Sequence, residues 1–139
     1  MKELLVDTNV IIRLLSGDHE EHGEAARKLF TLAYEGKHRL WIHAMVIAEC
    51  CYVLEGKYYG YDRHTIAQHL IALLQLKGVK CFEPAMLSNA LHLYARTDVD
   101  FVDAYLAILQ QEGQDGMVTF NDSDFVKCGC VYFDPRESG

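Results

Sequence analysis

The chain has 139 residues, half of them hydrophobic and two of them proline, which suits one compact domain with its own core and excludes a disordered one. Thirteen basic residues against twenty acidic ones leave a net charge of −7. That excludes a protein that coats nucleic acid by bulk electrostatics, but not an enzyme that gathers its acids in one metal-loaded site.

A short apolar run, "ELLVD", predicts a buried strand ending at Asp7. "TNVIIRLLSG" follows as a helix stopped by Gly17. A second helix is predicted over 20–35, with Ala26, Leu29, Phe30 and Ala33 on one face and Gly36 after its end. "HRLWIHA" reads as a short strand. The apolar "AMVIAECCYVLEGKYYG" is ambiguous by period, and its length favours a helix. Asp62 then caps "RHTIAQHLIALLQLKG", whose stripe of Ile66, Leu70, Leu73 and Leu74 ends at Gly78. "VKCFE" predicts a third strand, and Pro84 opens the helix "PAMLSNALHLYA". "DVDFVDAYLAILQQ" supplies another helix, closed by Gly113, before two last strands, "DGMVTF" and "VYF". Strands alternating with helices at this spacing predict an α/β fold with a parallel central sheet of about four to five strands, covered by helices on both faces. A single domain is expected over 1–134, with 135–139 as a short tail.

The opening "MKELLVDTN" carries no apolar signal core. The longest greasy stretch, "WIHAMVIAECCYVL", contains a His and a Glu and falls short of the roughly 18 apolar residues of a membrane span. A cytoplasmic protein with no membrane partner is expected. The five cysteines (Cys50, Cys51, Cys81, Cys128, Cys130) lack the paired spacing of a zinc site or disulfide framework and read as small buried hydrophobes.

In open parallel sheets, ligands sit beyond the carboxyl ends of the strands. Asp7 directly follows the first strand, with Thr8 and Asn9 behind it. Asn121, Asp122 and Asp124 follow "MVTF", which places Thr119 near its end. Taken singly, Asp7 reads equally as a helix cap, and Asp122 and Asp124 as turn residues. Glu49 stands in "AMVIAECCYVL" between apolar residues; on a buried helix its carboxylate must be paired with an Arg, protonated or metal-bound. Three aspartates crowd the start of "DVDFVDAYLA". With Asp100 as N-cap, Asp103 falls at the third helical position, a capping arrangement near the positive end of the dipole. The same spacing sets both side chains on one side of the helix, with Asp103 at the border of a stripe of Phe101, Ala104, Tyr105 and Ile108. Asp98 reads as an exposed loop residue. With Asp7 and Glu49 also unexplained, a cation site accounts for these acids better than separate caps do.

In their order and separation, "LLVDTNVIIRLL", "AMVIAECCYVLEG", "DFVDAYLA" and "VTFNDSDF" resemble the PIN-domain nucleases, particularly the VapC-like toxins of type II toxin–antitoxin pairs. The resemblance runs from Asp7 to about residue 134. It implies a PIN-like fold and a metal-dependent endoribonuclease that hydrolyses RNA phosphodiester bonds. Residue by residue, Asp7 matches the first metal-site acid, Glu49 the second in the "AE" step, and Asp103 the third in the "DA" step. Asp100 matches an acid of the "DFxDA" variety. After "VTF", where many members have Asp, this chain has Asn121, and an acid returns at Asp124 to complete the site directly or through water. The implied catalytic acids are therefore Asp7, Glu49, Asp103 and Asp124. The implied metal ligands are these with Asp100, supported by Thr8, Asn9, Thr119 and Asn121.

Hard oxygen ligands without Cys or His suit Mg²⁺ or Mn²⁺. Carboxylates gathered this closely cannot all ionise without a cation, so raised or coupled pKa values are expected. The implied partners are an RNA substrate, a cognate antitoxin protein and a second copy in a homodimer. The aromatic run "EGKYYGYD" (55–62) and exposed parts of "TNVIIRLL" are candidate contact surfaces. Phosphotransferases of the haloacid-dehalogenase type need a second Asp where this chain has Asn9, and a receiver domain needs a phospho-accepting Asp where the third strand ends in "FEPA". The alternative from another class is a PIN-fold module that binds RNA or protein without cleaving. Asn121 leaves it open, and Asp7, Glu49 and Asp103 oppose it.

Overall fold

A computed structural model describes residues 1–137. The chain divides after Glu83 into two compact units. In the first, β1 (Lys2–Leu5), β2 (His38–Ile42) and β3 (Val79–Cys81) form a parallel sheet in chain order. The connections are helical: α1 (Thr8–Ser16) and α2 (Glu20–Tyr34) join β1 to β2, and α3 (Ala44–Glu55) and α4 (Arg63–Leu74) join β2 to β3. Helix α2 packs on β2 and β3, and α4 on β3. The strand pattern agrees. Leu40, Ile42 and Val79 are buried towards α2 and α4, whereas Glu3, Leu5 and Lys80 alternate with them and are exposed.

Helix ends follow their sequence signals. Gly17 stops α1 in the left-handed region at φ 66, where glycine carries no Cβ penalty. Helix α4 stops at Leu74 rather than running to Gly78, because the apolar stripe ends there and Gln75 N–H closes the last turn on Ile71 and Ala72. Gly78 has a different task. At φ 90 it brings the chain so close to α2 that a Cβ would lie 2.2 Å from the Ala33 carbonyl oxygen.

The second unit packs α5 (Pro84–Arg96) against α6 (Phe101–Gly113), burying Leu87, Leu91, Tyr94, Phe101 and Ala104. Beyond them β4 (Met117–Val118) pairs in parallel with β5 (Tyr132–Phe133) through the short α7 (Ser123–Lys127). Buried Gln110 joins these parts: its Oε1 accepts from Val131 N–H at 3.3 Å, and its Nε2 donates to the Gln114 carbonyl at 2.8 Å. Among the described residues, the five parallel strands match the expected number and are shared three and two between separate sheets. Of the expected tail, Pro135–Glu137 form a 3₁₀ turn, and 138–139 lie outside the described residues.

All five cysteines are free, and all but Cys81 are buried. Among the described residues, no helix is long and apolar enough to cross a membrane.

Candidate functional site

The helix starts separate two kinds of side chain. Asp62 caps α4 by accepting from Thr65 N–H at 3.4 Å, and His19 and His43 cap α2 and α3 through Nδ1 at 3.0 Å. Asp7, Asp100 and Asp122 hold the same position on α1, α6 and α7, yet none makes a side-chain cap bond. Capping therefore does not explain these three, although each helix dipole still favours an anion there.

In the first unit, Val6 N–H donates to the Trp41 carbonyl at 3.0 Å and carries Asp7 to the carboxyl edge of the sheet. Thr8 is buried, and its Oγ1 has no hydrogen-bond partner among the described residues. Asn9 is exposed and lines an apolar cleft of about 420 Å³ with Val10, Arg13, His22, Ala26 and Leu29.

Glu49 departs from expectation, for it is exposed. Helix α3 buries Ile47, Cys50, Cys51 and Leu54, and the spacing i, i+4, i+7 aligns Glu49 with exposed Met45 and Tyr52 instead. Desolvation thus does not force a partner on Glu49. What links it to Asp7 is Cys50, whose thiol is pushed up to about 12, first by burial and then by the charges of Glu49 and Asp7. The charges of the strand-end acid and the helix acid are therefore both felt at one buried side chain.

In the second unit, Asp103 and Asp124 are half-buried and Asp100 is exposed. The Asp103 carboxyl is raised above the ordinary carboxylate range by burial first, then by a hydrogen bond to the Asp124 carboxyl and by the charges of Asp124 and Asp100. A cation beside these acids would relieve the same repulsion. The neutral residues nearby shape the turn that carries Asp124. Thr119 Oγ1 accepts from Asn121 N–H and donates to the Asn121 carbonyl, both at 3.0 Å. Asn121 Oδ1 accepts from the Ser123 hydroxyl at 3.0 Å. Asp122 is engaged by the Tyr132 hydroxyl, which raises the tyrosine's pKa. Asp98, expected as a solvated loop residue, binds Lys127 Nζ at 3.0 Å.

Among the described residues, no three His, Cys, Asp or Glu side chains converge as ligands of one ion. The donor chemistry nevertheless fits a hard divalent cation. Mg²⁺ is commonly held by one or two carboxylates together with its own waters, and Asp103 with Asp124 supplies two oxygen donors of that kind. In the first unit, taken by itself, the orphaned Thr8 hydroxyl follows Asp7 in the chain.

One residue escaped the sequence reading. His43 directly follows β2, as Asp7 follows β1, and the rule that singles out strand-end residues applies to it equally.

Residues 4–129 match the family described as PIN domain, a fold family of nuclease type. The match spans the division at Glu83. No curated protein and no solved structure matches the chain significantly.

Proposed function

Because the chain belongs to the PIN domain family, we propose that it is a metal-dependent endoribonuclease, the toxin of a toxin–antitoxin pair acting as a cytoplasmic homodimer. The observation that carries the nuclease reading is the half-buried Asp103 carboxyl, raised by burial and by its neighbours Asp124 and Asp100, in a family of nuclease type. Each unit taken by itself, the acids assigned to Mg²⁺ or Mn²⁺ are Asp7 and Glu49 in the first and Asp100, Asp103 and Asp124 in the second. When bound, the ion supplies positive charge for the phosphodiester and an activated water.

The chain's own residues prepare for this. Asp103 holds its proton more tightly than an ordinary carboxyl and gives it up on loading. Thr119 and Asn121 fix the turn that presents Asp124, through the three hydrogen bonds at their side chains. Thr8 Oγ1 offers its hydrogen-bonding capacity next to Asp7. These acids repel the RNA phosphates locally until a cation offsets their charge, which ties substrate capture to metal loading. The free, mostly buried cysteines accord with a reducing cytoplasm.

The test is cleavage of single-stranded RNA by the purified chain in Mn²⁺. Cleavage is expected for the parent and lost in Asp7→Asn and Asp103→Asn. A parent that leaves RNA intact, or variants as fast as the parent, would end this reading. The toxin role is tested by expression in cells, with arrested growth expected and relief by a co-expressed partner from the neighbouring gene.

A further inference from the structure

Extended past the last paired residues, the strand register carries three residues to neighbouring positions at the carboxyl edge of the first sheet. Leu5 pairs with Trp41 and Ile42 with Cys81, so two steps beyond the first pair set Asp7 beside His43, and one step beyond the second sets His43 beside Phe82. Strands lie about 4.8 Å apart, which puts the Phe82 backbone about 10 Å from that of Asp7. Phe82 is half exposed on this edge. Its ring meets Trp41 at 5.0 Å between centroids and His43 at 5.8 Å.

The cluster is fixed in place rather than mobile at its base. Trp41 Nε1 donates to Glu3 Oε1 at 2.6 Å, and Glu3 also pairs with Arg39 at 3.2 Å. His43 Nδ1 is held by Met45 N–H. Glu83, directly after Phe82, takes φ 53, a left-handed conformation uncommon for a residue with a side chain. Lys80, in register with Trp41, is exposed on the same face of the sheet.

We propose that Trp41, His43 and Phe82 form a stacking platform for a nucleobase of single-stranded RNA next to the scissile phosphate, with Lys80 facing the backbone phosphates. The proposal rests on the ribonuclease reading and names how that site grips its substrate. An acidic chain gains little from bulk attraction to RNA, so its hold must come from uncharged contacts and locally placed cations. Stacking on a fixed aromatic face supplies that, and it tolerates any sequence because every base has a π face. A row that begins with Asp7 and ends with Phe82 sets the base contact within a nucleotide or two of the reacting position.

Trp41 is the chain's one tryptophan, so its fluorescence reports directly on the platform. The full chain carrying Asp7→Asn is titrated in Mg²⁺ with a short oligoadenylate and with duplex RNA of equal length. Saturable quenching by the single strand is expected, with little by the duplex. Phe82→Ala should weaken the single-strand affinity roughly five- to hundredfold, the range of one lost stacking contact, and Phe82→Tyr should restore it. In an otherwise unaltered chain, Phe82→Ala should raise KM for RNA while kcat changes little. Unchanged affinity and KM in Phe82→Ala, with RNA still cleaved by the parent, overturn the platform and leave the nuclease reading intact. Quenching that Phe82→Ala weakens, in a parent that cleaves nothing in Mn²⁺, upholds the platform and removes the nuclease. If Phe82→Ala turns a dimer into a monomer by light scattering without altering RNA affinity, a second copy covers this face and the platform is overturned.

Discussion

Burial, and after it the neighbouring Asp124 in the first turn of α7, raise the Asp103 carboxyl on α6 above the ordinary carboxylate range. Asp103 consequently binds its proton more tightly in the folded chain than in the unfolded one. Between the ordinary value of 3.8 and its raised value the folded state holds more protons, so the metal-free fold loses stability as pH rises through that window. Asp103→Asn removes the conflict. In EDTA at neutral pH the variant is expected to melt at a higher temperature than the parent, and to lose the parent's further stabilisation by Mn²⁺. A variant that melts at or below the parent's temperature, with Mn²⁺ stabilisation intact, would contradict this account.

Asp18 behaves in the opposite sense. Its carboxylate accepts from the Ser16 hydroxyl at 2.6 Å, the Tyr59 hydroxyl at 2.7 Å and Arg13 Nη1 at 3.0 Å. These contacts, with the Ser16 hydroxyl leading, hold it well below the ordinary carboxylate range. A depressed folded pKa contributes stability that is present above the unfolded value of 3.8 and lost as pH falls towards the folded one. Asp18→Asn should therefore be less stable than the parent in urea at pH 7, with the gap narrowing steadily below about pH 4. A gap that stays constant down to pH 3 argues that packing, not charge, is at stake. Tyr59→Phe should show a smaller loss, since one of the three partners is removed.

Glycine positions should differ sharply in their tolerance of a methyl group. At Gly78 the new Cβ meets backbone atoms of α2 in a left-handed conformation, and Gly78→Ala should cost ~2–4 kcal/mol from overpacking and backbone strain. At Gly113, in the last turn of α6, nothing lies within 4 Å of the added carbon. Gly113→Ala should be neutral or stabilising by up to about 1 kcal/mol. Urea unfolding of the two variants checks both, and equal behaviour would refute the close approach of Gly78 to Ala33.

Gln110 carries a buried polar load on an otherwise apolar face. Gln110→Leu keeps the volume but strands the Val131 N–H and the Gln114 carbonyl, at a cost of about 1–3 kcal/mol. Hydrogen exchange should locate the loss at the Val131 amide and its neighbours. Protection there equal to the parent's would mean that another acceptor, such as water, serves this amide.

Thr119 acts on the reaction through Asp124. Thr119→Val deletes both bonds to Asn121 and loosens the turn ahead of α7. The expected result is a fall in kcat of about tenfold, the equivalent of roughly 1.4 kcal/mol, with KM for RNA near the parent's. A change confined to KM would reassign Thr119 to substrate contact.

Much of this protein is legible in its sequence, and the reason is local. Gly17, Asp62 and Pro84 mark helix ends because capping and φ preferences act within a few residues. The order of strands and helices follows from apolar runs and their lengths, and the resemblance of four short motifs to PIN-domain nucleases agrees with the family match over residues 4–129. Crowding of Asp100, Asp103 and Asp124 within one unit is also foreseeable, since adjoining segments carry all three.

Tertiary structure alone decided the rest. Whether Glu49 is buried depends on which side of α3 faces the sheet, and an apolar helix with a weak period does not say; it is exposed. Which aspartates cap and which do not depends on side-chain rotamers set by neighbours, so Asp62 bonds to its helix while Asp7 and Asp100 make no such bond. The row of Asp7, His43 and Phe82 joins residues dozens of positions apart through strand register. Register is a pairing between distant segments, and no local preference encodes it.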